Sequence, residues 1–161
     1  MTQLTPARTY ANYHVSLKIL LRRGDEFLIL NSQSGKFFDL PGGRIDEQDR
    51  AVLLEDILAR EVQEELGPDL KYNLGEPLFQ FRRHLKKTDY HVFVPVYDAE
   101  YLSGEIKLSD EHTGFFWTKA PDFKFQENQF LSAEEYRAFK KYFNSLIFLS
   151  GSQSKIPARG T

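Results

Sequence analysis

The sequence predicts an α/β fold, a mixed sheet sandwiched between helices, and three observations carry that reading. Short alternating apolar runs, Val15-Leu17-Ile19-Leu21 and Val92-Val94-Val96, have the period of strands. Between them lies a segment without Gly or Pro from Arg44 to Leu66, in which Ala51, Leu54, Leu58, Val62 and Leu66 recur at spacings of three or four, the mark of an amphipathic helix. Near the end, Ser132-Ala133-Glu134-Glu135 is a capping box that opens a second helix.

The elements follow in order. Residues 1–9 read as a loose arm. Tyr13 to Leu21 forms a strand in which Val15, Leu17, Ile19 and Leu21 alternate with His14, Ser16, Lys18 and Leu20. Arg22-Arg23-Gly24-Asp25 is the turn, and Glu26 to Leu30 returns as the second strand of a hairpin. Asn31 to Lys36 is a polar loop, and Phe37-Phe38-Asp39-Leu40 leads into Pro41-Gly42-Gly43, where glycine lets the backbone turn sharply and leaves the Gly43 carbonyl accessible. The central helix stops at Gly67 and Pro68, one a C-cap and the other unable to continue it. Leu78 to His84 and Tyr90 to Tyr97 are further strands, joined by the turn Lys86-Lys87-Thr88-Asp89, with Pro95 placing the second at an edge or a bulge. Phe115-Phe116-Trp117 is a short aromatic strand, and Tyr136, Phe139, Phe143 and Ile147 mark the packing face of the last helix. Residues 1–149 are expected to form one domain and residues 150–161 a flexible tail.

Composition narrows the function. A hydrophobic content of 41% with fourteen Phe fits a globular protein. A formal charge of −2 leaves no basic footprint, which argues against tight nucleic-acid binding but not against one nucleotide in a local pocket. With no Cys, disulfides, thiolate zinc sites and cysteine nucleophiles are excluded. No basic-plus-apolar leader is present and no apolar run is long enough to span a bilayer, so the expectation is a cytoplasmic protein with no membrane partner.

The central helix carries the chemistry. Glu61, Glu64 and Glu65 are related by i, i+3 and i+4, so they share one face, and Glu65 falls about 20° from Leu54 and Leu58 at about 100° per residue. A carboxylate at the margin of an apolar stripe needs a cation, and like charges at i, i+4 repel. Arg60 relieves one of the three; a divalent cation relieves all, and carboxylate oxygens suit Mg²⁺ or Mn²⁺. Taken alone, the helix fits a solvated acidic face equally well.

Its flanks separate the two readings. Leu40-Pro41-Gly42-Gly43, followed by Arg60-Glu61-Val62-Gln63-Glu64-Glu65-Leu66-Gly67, resembles the Nudix box, G-x5-E-x7-R-E-U-x-E-E-x-G-U with U a bulky aliphatic residue. The match holds at every specified position from Arg60 to Gly67, with Pro68 at the final U position. Sixteen residues separate Gly43 from Arg60, which is a three-residue insertion relative to the motif. Its first glutamate, which braces the arginine, therefore has no direct counterpart: counting from Gly43 gives Asp49, and counting back from Arg60 gives Val52. Glu47, Asp49 and Asp56 are the acids available for the brace.

The resemblance implies a Nudix-type α/β/α sandwich with a central mixed β-sheet, and a Mg²⁺-dependent pyrophosphohydrolase (Mn²⁺ as the alternate ion) acting on a nucleoside diphosphate linked to another moiety. It implies metal ligands at Glu61, Glu64, Glu65 and the Gly43 carbonyl, Arg60 as the residue that orients a glutamate, and Glu64 or Glu111 as the acceptor of the water proton. Glu111 enters because it lies in the loop before Trp117. The substrate class is open among nucleoside triphosphates, nucleotide sugars, ADP-ribose, dinucleoside polyphosphates and capped RNA. Arg82 and Phe38 are the candidate substrate contacts, a phosphate clamp and a base-stacking ring, whereas Lys86 and Lys87 read as a solvated tip. The rival reading is a non-catalytic Nudix-like nucleotide-binding or sensing module. Tyr10 and Tyr13 offer aromatic surface for a homodimer, though the sequence shows no pairing.

Overall fold

The computed structural model describes residues 9–153, with side chains as far as Leu149. The described elements are β1 (His14–Val15), β2 (Lys18–Arg23), β3 (Glu26–Ser32), β4 (Phe38–Asp39), α1 (Leu54–Leu66), β5 (Lys71–Leu85), β6 (Tyr90–Ser103), β7 (His112–Lys119) and α2 (Ala133–Gln153). Short 3₁₀ turns at Glu47–Asp49 and Glu127–Gln129 precede the two helices.

Successive residues of the inner strands are buried on opposite faces, and this fixes the layers. Leu20, Phe27, Ile29, Val92, Val94 and Val96 pack with Phe139 and Phe143 of α2. Leu17, Ile19, Leu21, Leu28, Leu30 and Ala99 pack with Ile57, Leu58, Val62 and Leu66 of α1. A sheet covered on both faces reads as continuous apolar sequence, which explains Ile19-Leu20-Leu21 and Phe27-Leu28-Ile29-Leu30. The expected α/β sandwich is therefore present, and Leu20 belongs to a second core rather than to a polar face.

The sheet is mixed. β6 runs parallel to β1 and β2 on one edge and antiparallel to β5 on the other. β3 pairs antiparallel with β2, β4 and β7. Pro95 thus sits in an interior strand, not at an edge. The register pairs Val15 with Phe93 and Lys18 with Val96, so Pro95 lies opposite the break between β1 and β2, where the ladder is interrupted. That break also divides the strand expected to run unbroken from Tyr13 to Leu21. The edge of this segment that faces away from β6 pairs with the glycine turn: Leu17 N–H donates to Gly43 O (2.9 Å), Ile19 N–H to Pro41 O (2.9 Å), and Ile45 N–H to Val15 O (2.9 Å), while Ser16 N–H still donates to Phe93 O of β6 (3.0 Å).

Several boundaries differ from expectation. α1 begins at Leu54, leaving Ala51 and Leu54 exposed, and Ile57 completes its buried face. β5 and β6 extend well beyond Leu78–His84 and Tyr90–Tyr97, although the turn at Lys86–Asp89 stands as expected. α2 continues through Gln153, so residues 150–153 are helical rather than tail. Residues 154–161 of that tail, and residues 1–8 of the N-terminal arm, lie outside the described residues.

α2 is fastened to the sheet at its first turn. Ser132 Oγ accepts the Glu135 N–H (3.1 Å) and donates to Arg82 O (2.8 Å). The Glu135 carboxylate does not complete the expected capping box; it accepts from Arg83 on β5 and from the Leu131 N–H. Both members of the Arg83–Glu135 pair are buried, and removing one member of a buried pair leaves the other uncompensated. Glu135→Gln is expected to cost about 3 kcal/mol of stability on that ground, measured by urea denaturation. A change within experimental error would mean that the pair contributes nothing to docking α2.

Candidate active site

The glycine turn is held against the last two turns of α1 by close approach. Gly42 N–H donates to Glu65 Oε2 (2.7 Å). A Cβ on Gly43 would lie 1.8 Å from Glu61 Oε2, so only glycine admits the carboxylate there. Gly42 adopts φ 123°, and a Cβ on it would meet Leu17 O at 2.2 Å; backbone conformation and contact both demand glycine.

The end of α1 positions a second segment. Gly67, at φ 93°, donates its N–H to Gln63 O (3.0 Å) and ends the helix as expected. Two carbonyls freed at that end accept from the following loop: Leu66 O from Lys107 N–H (2.8 Å) and Glu65 O from Ser109 N–H (3.0 Å). Ser109 Oγ then accepts the Glu111 N–H (3.4 Å). The loop bearing Glu111 is thereby tied to the helix turn bearing Glu65.

Together these segments wall a cleft of about 500 Å³, lined by Gly43, Glu61, Glu64, Glu65 and Glu111, all of them expected from the sequence. Arg60 stands behind the cleft. Its Nη1 and Nη2 meet Asp49 Oδ1 and Oδ2 at 2.8 and 3.1 Å, and Nη2 also meets Glu61 Oε1 at 2.9 Å. Nε lies 3.8 Å from Glu64 Oε1. Asp49 is buried and also accepts the Asp46 N–H (3.0 Å). The Arg60 hydrogen bonds, helped by that N–H, hold its carboxyl below the ordinary carboxylate range. Of the three acids available, Asp49 is the brace. The three-residue insertion falls after it, between the 3₁₀ turn and α1.

Two expected substrate contacts are elsewhere. The Phe38 ring packs among Phe116, Phe123, Phe125 and Phe130 on the α2 side of the sheet. Arg82 is exposed and engaged by Glu134, with Nη2–Oε2 at 2.8 Å. Strand alternation turns its neighbour Arg83 inward, and Arg83 lines the cleft. The carbonyls also differ from expectation. Gly43 O already accepts from Leu17 N–H and from Ser16 Oγ (3.2 Å), whereas Gly42 O accepts from the Lys18 ammonium.

Lys18, Asp39, Arg83 and His112 form a polar floor that the motif did not name. Asp39 faces Lys18 Nζ (3.4 Å), Arg83 Nη2 (3.2 Å) and His112 Nε2 (4.0 Å). Burial alone pushes the Asp39 carboxyl up, but Lys18 and Arg83 outweigh it and hold it far below the ordinary range. Glu65 goes the other way: burial raises it, offset in part by Lys18 and the Gly42 N–H. Among the described residues, His112 Nδ1 is buried without a hydrogen-bond partner. The available sequence signal was a charge interrupting an apolar strand, as at Lys18 and Arg83.

The donor set suits a divalent cation of the oxygen-preferring kind. Six carboxylates line the cleft (Asp39, Asp46, Glu61, Glu64, Glu65, Glu111) against three fixed cations (Lys18, Arg44, Arg83). Hard oxygens without thiolate or paired imidazole match Mg²⁺ or Mn²⁺. A buried carboxylate whose pKa is raised, as at Glu65, is also where an added positive charge gains most.

Two expectations follow from this geometry. Asp49→Ala releases Arg60 from its buried partner and is expected to lower kcat by about 10–100-fold, the usual scale for a residue supporting a ligand, with Asp49→Glu restoring much of it; steady-state kinetics of both variants decide. For Asp39 the folded pKa is depressed, so its contribution is fully present above the unfolded value of about 3.9 and is lost as pH falls through the folded one. Asp39→Asn should therefore flatten the acid limb of stability below about pH 5, followed by thermal denaturation; an unchanged limb would show that this carboxylate is not ionised against Lys18 and Arg83.

Comparisons with known proteins agree with this arrangement. A MutT protein from Methanosarcina mazei Go1 is 27% identical, with a TM-score of 0.67 over 86% of this chain and 99% of its own. A MutT NUDIX hydrolase from Burkholderia pseudomallei is 22% identical, with a TM-score of 0.64 over 81% of this chain and 98% of its own. An ADP-ribose pyrophosphatase from Streptococcus suis 89-1591 shares the fold at 17% identity and a TM-score of 0.58, over 84% and 92% of the two chains. No curated protein matches. The NUDIX domain family model matches residues 12–142, and the chain belongs to that family, as a hydrolase acting on phosphoric anhydride bonds.

Proposed function

We propose that this hydrolase cleaves the pyrophosphate linkage of a nucleoside diphosphate joined to another moiety, with Mg²⁺ as its cofactor and Mn²⁺ as a substitute. The observation that carries the reading is the excess of carboxylates in one cleft, held by a glycine turn on one side and the Ser109–Glu111 loop on the other. Glu61, Glu64, Glu65 and Glu111 are the carboxylates that would hold the cation; the Gly42 carbonyl faces the Lys18 ammonium. When bound there, the cation neutralises the pyrophosphate and stabilises the departing phosphate.

The chain's own residues set up the rest. Arg60, fixed by Asp49, aims the Glu61 carboxylate, and the Gly42 N–H fixes that of Glu65. Glu64, whose side chain is 64% exposed with Arg60 Nε 3.8 Å away, and the exposed Glu111 are the two candidates to take a proton from water. Lys18 and Arg83 lie on the cleft floor and add positive charge where the phosphates enter, although both also serve Asp39. The protein is expected to act in the cytoplasm on a small nucleotide; no described helix is long and apolar enough to cross a membrane. The non-catalytic alternative rested on the insertion and the missing brace; the Asp49–Arg60 contact, formed across that insertion, supports the catalytic reading.

The first experiment is phosphate release from nucleoside triphosphates, nucleotide sugars, ADP-ribose and dinucleoside polyphosphates, with phosphatase added to reveal monoester products. Turnover is expected with Mg²⁺ and none in EDTA; silence across the panel with either ion would remove the reading. Glu64→Gln is expected to reduce kcat by about a hundredfold or more, the scale of losing a positioned base or charge-stabilising group. Comparison with Glu111→Gln assigns the base to whichever variant loses the acid limb of the pH–rate profile.

A further inference from the structure

The tip of the β5–β6 hairpin holds a second group of metal-ligating side chains, chemically unlike those of the cleft. His84 and His91 are register partners across the two strands. Directly opposed residues of an antiparallel pair have Cβ atoms about 5 Å apart on one face, and the two imidazoles stack with centroids 4.5 Å apart and planes 11° from parallel. The turn between them brings in a third donor. Asp89 adopts φ 55°, uncommon for a residue with a side chain, and its Oδ1 lies 2.7 Å from His84 Nε2. One donor atom from each of the three lies within 4.8 Å of the others.

We propose that His84, Asp89 and His91 bind a divalent transition-metal ion of the zinc class. Imidazole nitrogens favour zinc, nickel and copper over magnesium, so the site selects a different ion from the carboxylate-rich cleft. Metal–donor bonds of about 2.0–2.1 Å place tetrahedral ligands about 3.3 Å apart. The 2.7 Å Asp89–His84 contact opens slightly, the other donors draw together, and the two rings turn out of their stack so that the nitrogen lone pairs, which lie in the ring planes, meet at one ion; exposed side chains accomplish this by rotation about χ angles. Three protein ligands leave further positions for solvent. Bound there, the ion joins both strands and the turn. The adjacent residues Leu85 and Val92 line the catalytic cleft, and strand alternation places them on the opposite face of the hairpin from the histidines. The ion thus clips the hairpin that forms one wall of the cleft without entering it.

The test is calorimetric titration of the untagged full chain with Zn²⁺ in saturating Mg²⁺, repeated in a Glu61→Gln/Glu64→Gln background to remove zinc binding in the cleft. One ion per chain is expected in both backgrounds. His84→Ala and His91→Ala should each weaken it more than about tenfold, as losing a direct ligand costs at least what a supporting residue does, while His14→Ala leaves it unchanged. Because the chain has four histidines, imidazole NMR reads the ligands directly: His84 and His91 signals shift with zinc and His112 does not. Equal zinc binding by wild type and the His84→Ala/His91→Ala variant, or no uptake under saturating Mg²⁺, would overturn the proposal.

Discussion

The structure depends on seating the Pro41–Ile45 backbone along the edge of β1 and β2 that faces away from β6. Without it the Leu17 and Ile19 N–H groups and the Val15 carbonyl on that edge would lack a partner, and buried peptide groups left unpaired are costly. The glycine turn satisfies them and in the same step presents Gly42 N–H to Glu65 and a bare Gly43 Cα to Glu61. One seated turn therefore sets both the path of the loop and the position of two cleft carboxylates. On the other side of the same segment, Pro95 of β6 lies opposite the break between β1 and β2.

Electrostatics then divides the cleft into two zones. On the α1 side the carboxylates lie close together with Arg60 behind them. On the floor, Asp39 is matched by Lys18 and Arg83, and Arg83 continues to Glu135 on α2. The floor is internally compensated, whereas the α1 side is short of positive charge. That asymmetry is what the proposed cation at the glutamates would relieve.

Much of this was legible in the sequence because it rests on local rules. The 3.6-residue period and Gly67-Pro68 located the helix that presents the glutamates, and the strand period located the hairpins. The glutamates and Gly43 stood out because their spacing is fixed by one helix and one turn. What escaped depends on contacts distant along the chain. Phe38 and Arg82 looked available, yet one ring completes an aromatic core and the other side chain is spent on Glu134, 52 positions away. Arg83 differs from Arg82 only in strand parity, which depends on where α2 docks. Lys18 and Asp39 become partners only when β2 and β4 enter the same sheet.

The Asp49–Arg60 contact carries a wider consequence. The two side chains meet at 2.8 Å although the segment joining them is three residues longer than the motif allows. The extra length is taken up by Arg50–Leu53, of which Arg50, Ala51, Val52 and Leu53 are all exposed. What natural variation must preserve is therefore the closure of a salt bridge in space, not a count along the chain. Pattern searches with rigid spacing will overlook relatives whose machinery is intact, and chain length varies here where side chains face solvent, ahead of the Leu53 carbonyl that accepts the first N–H groups of α1.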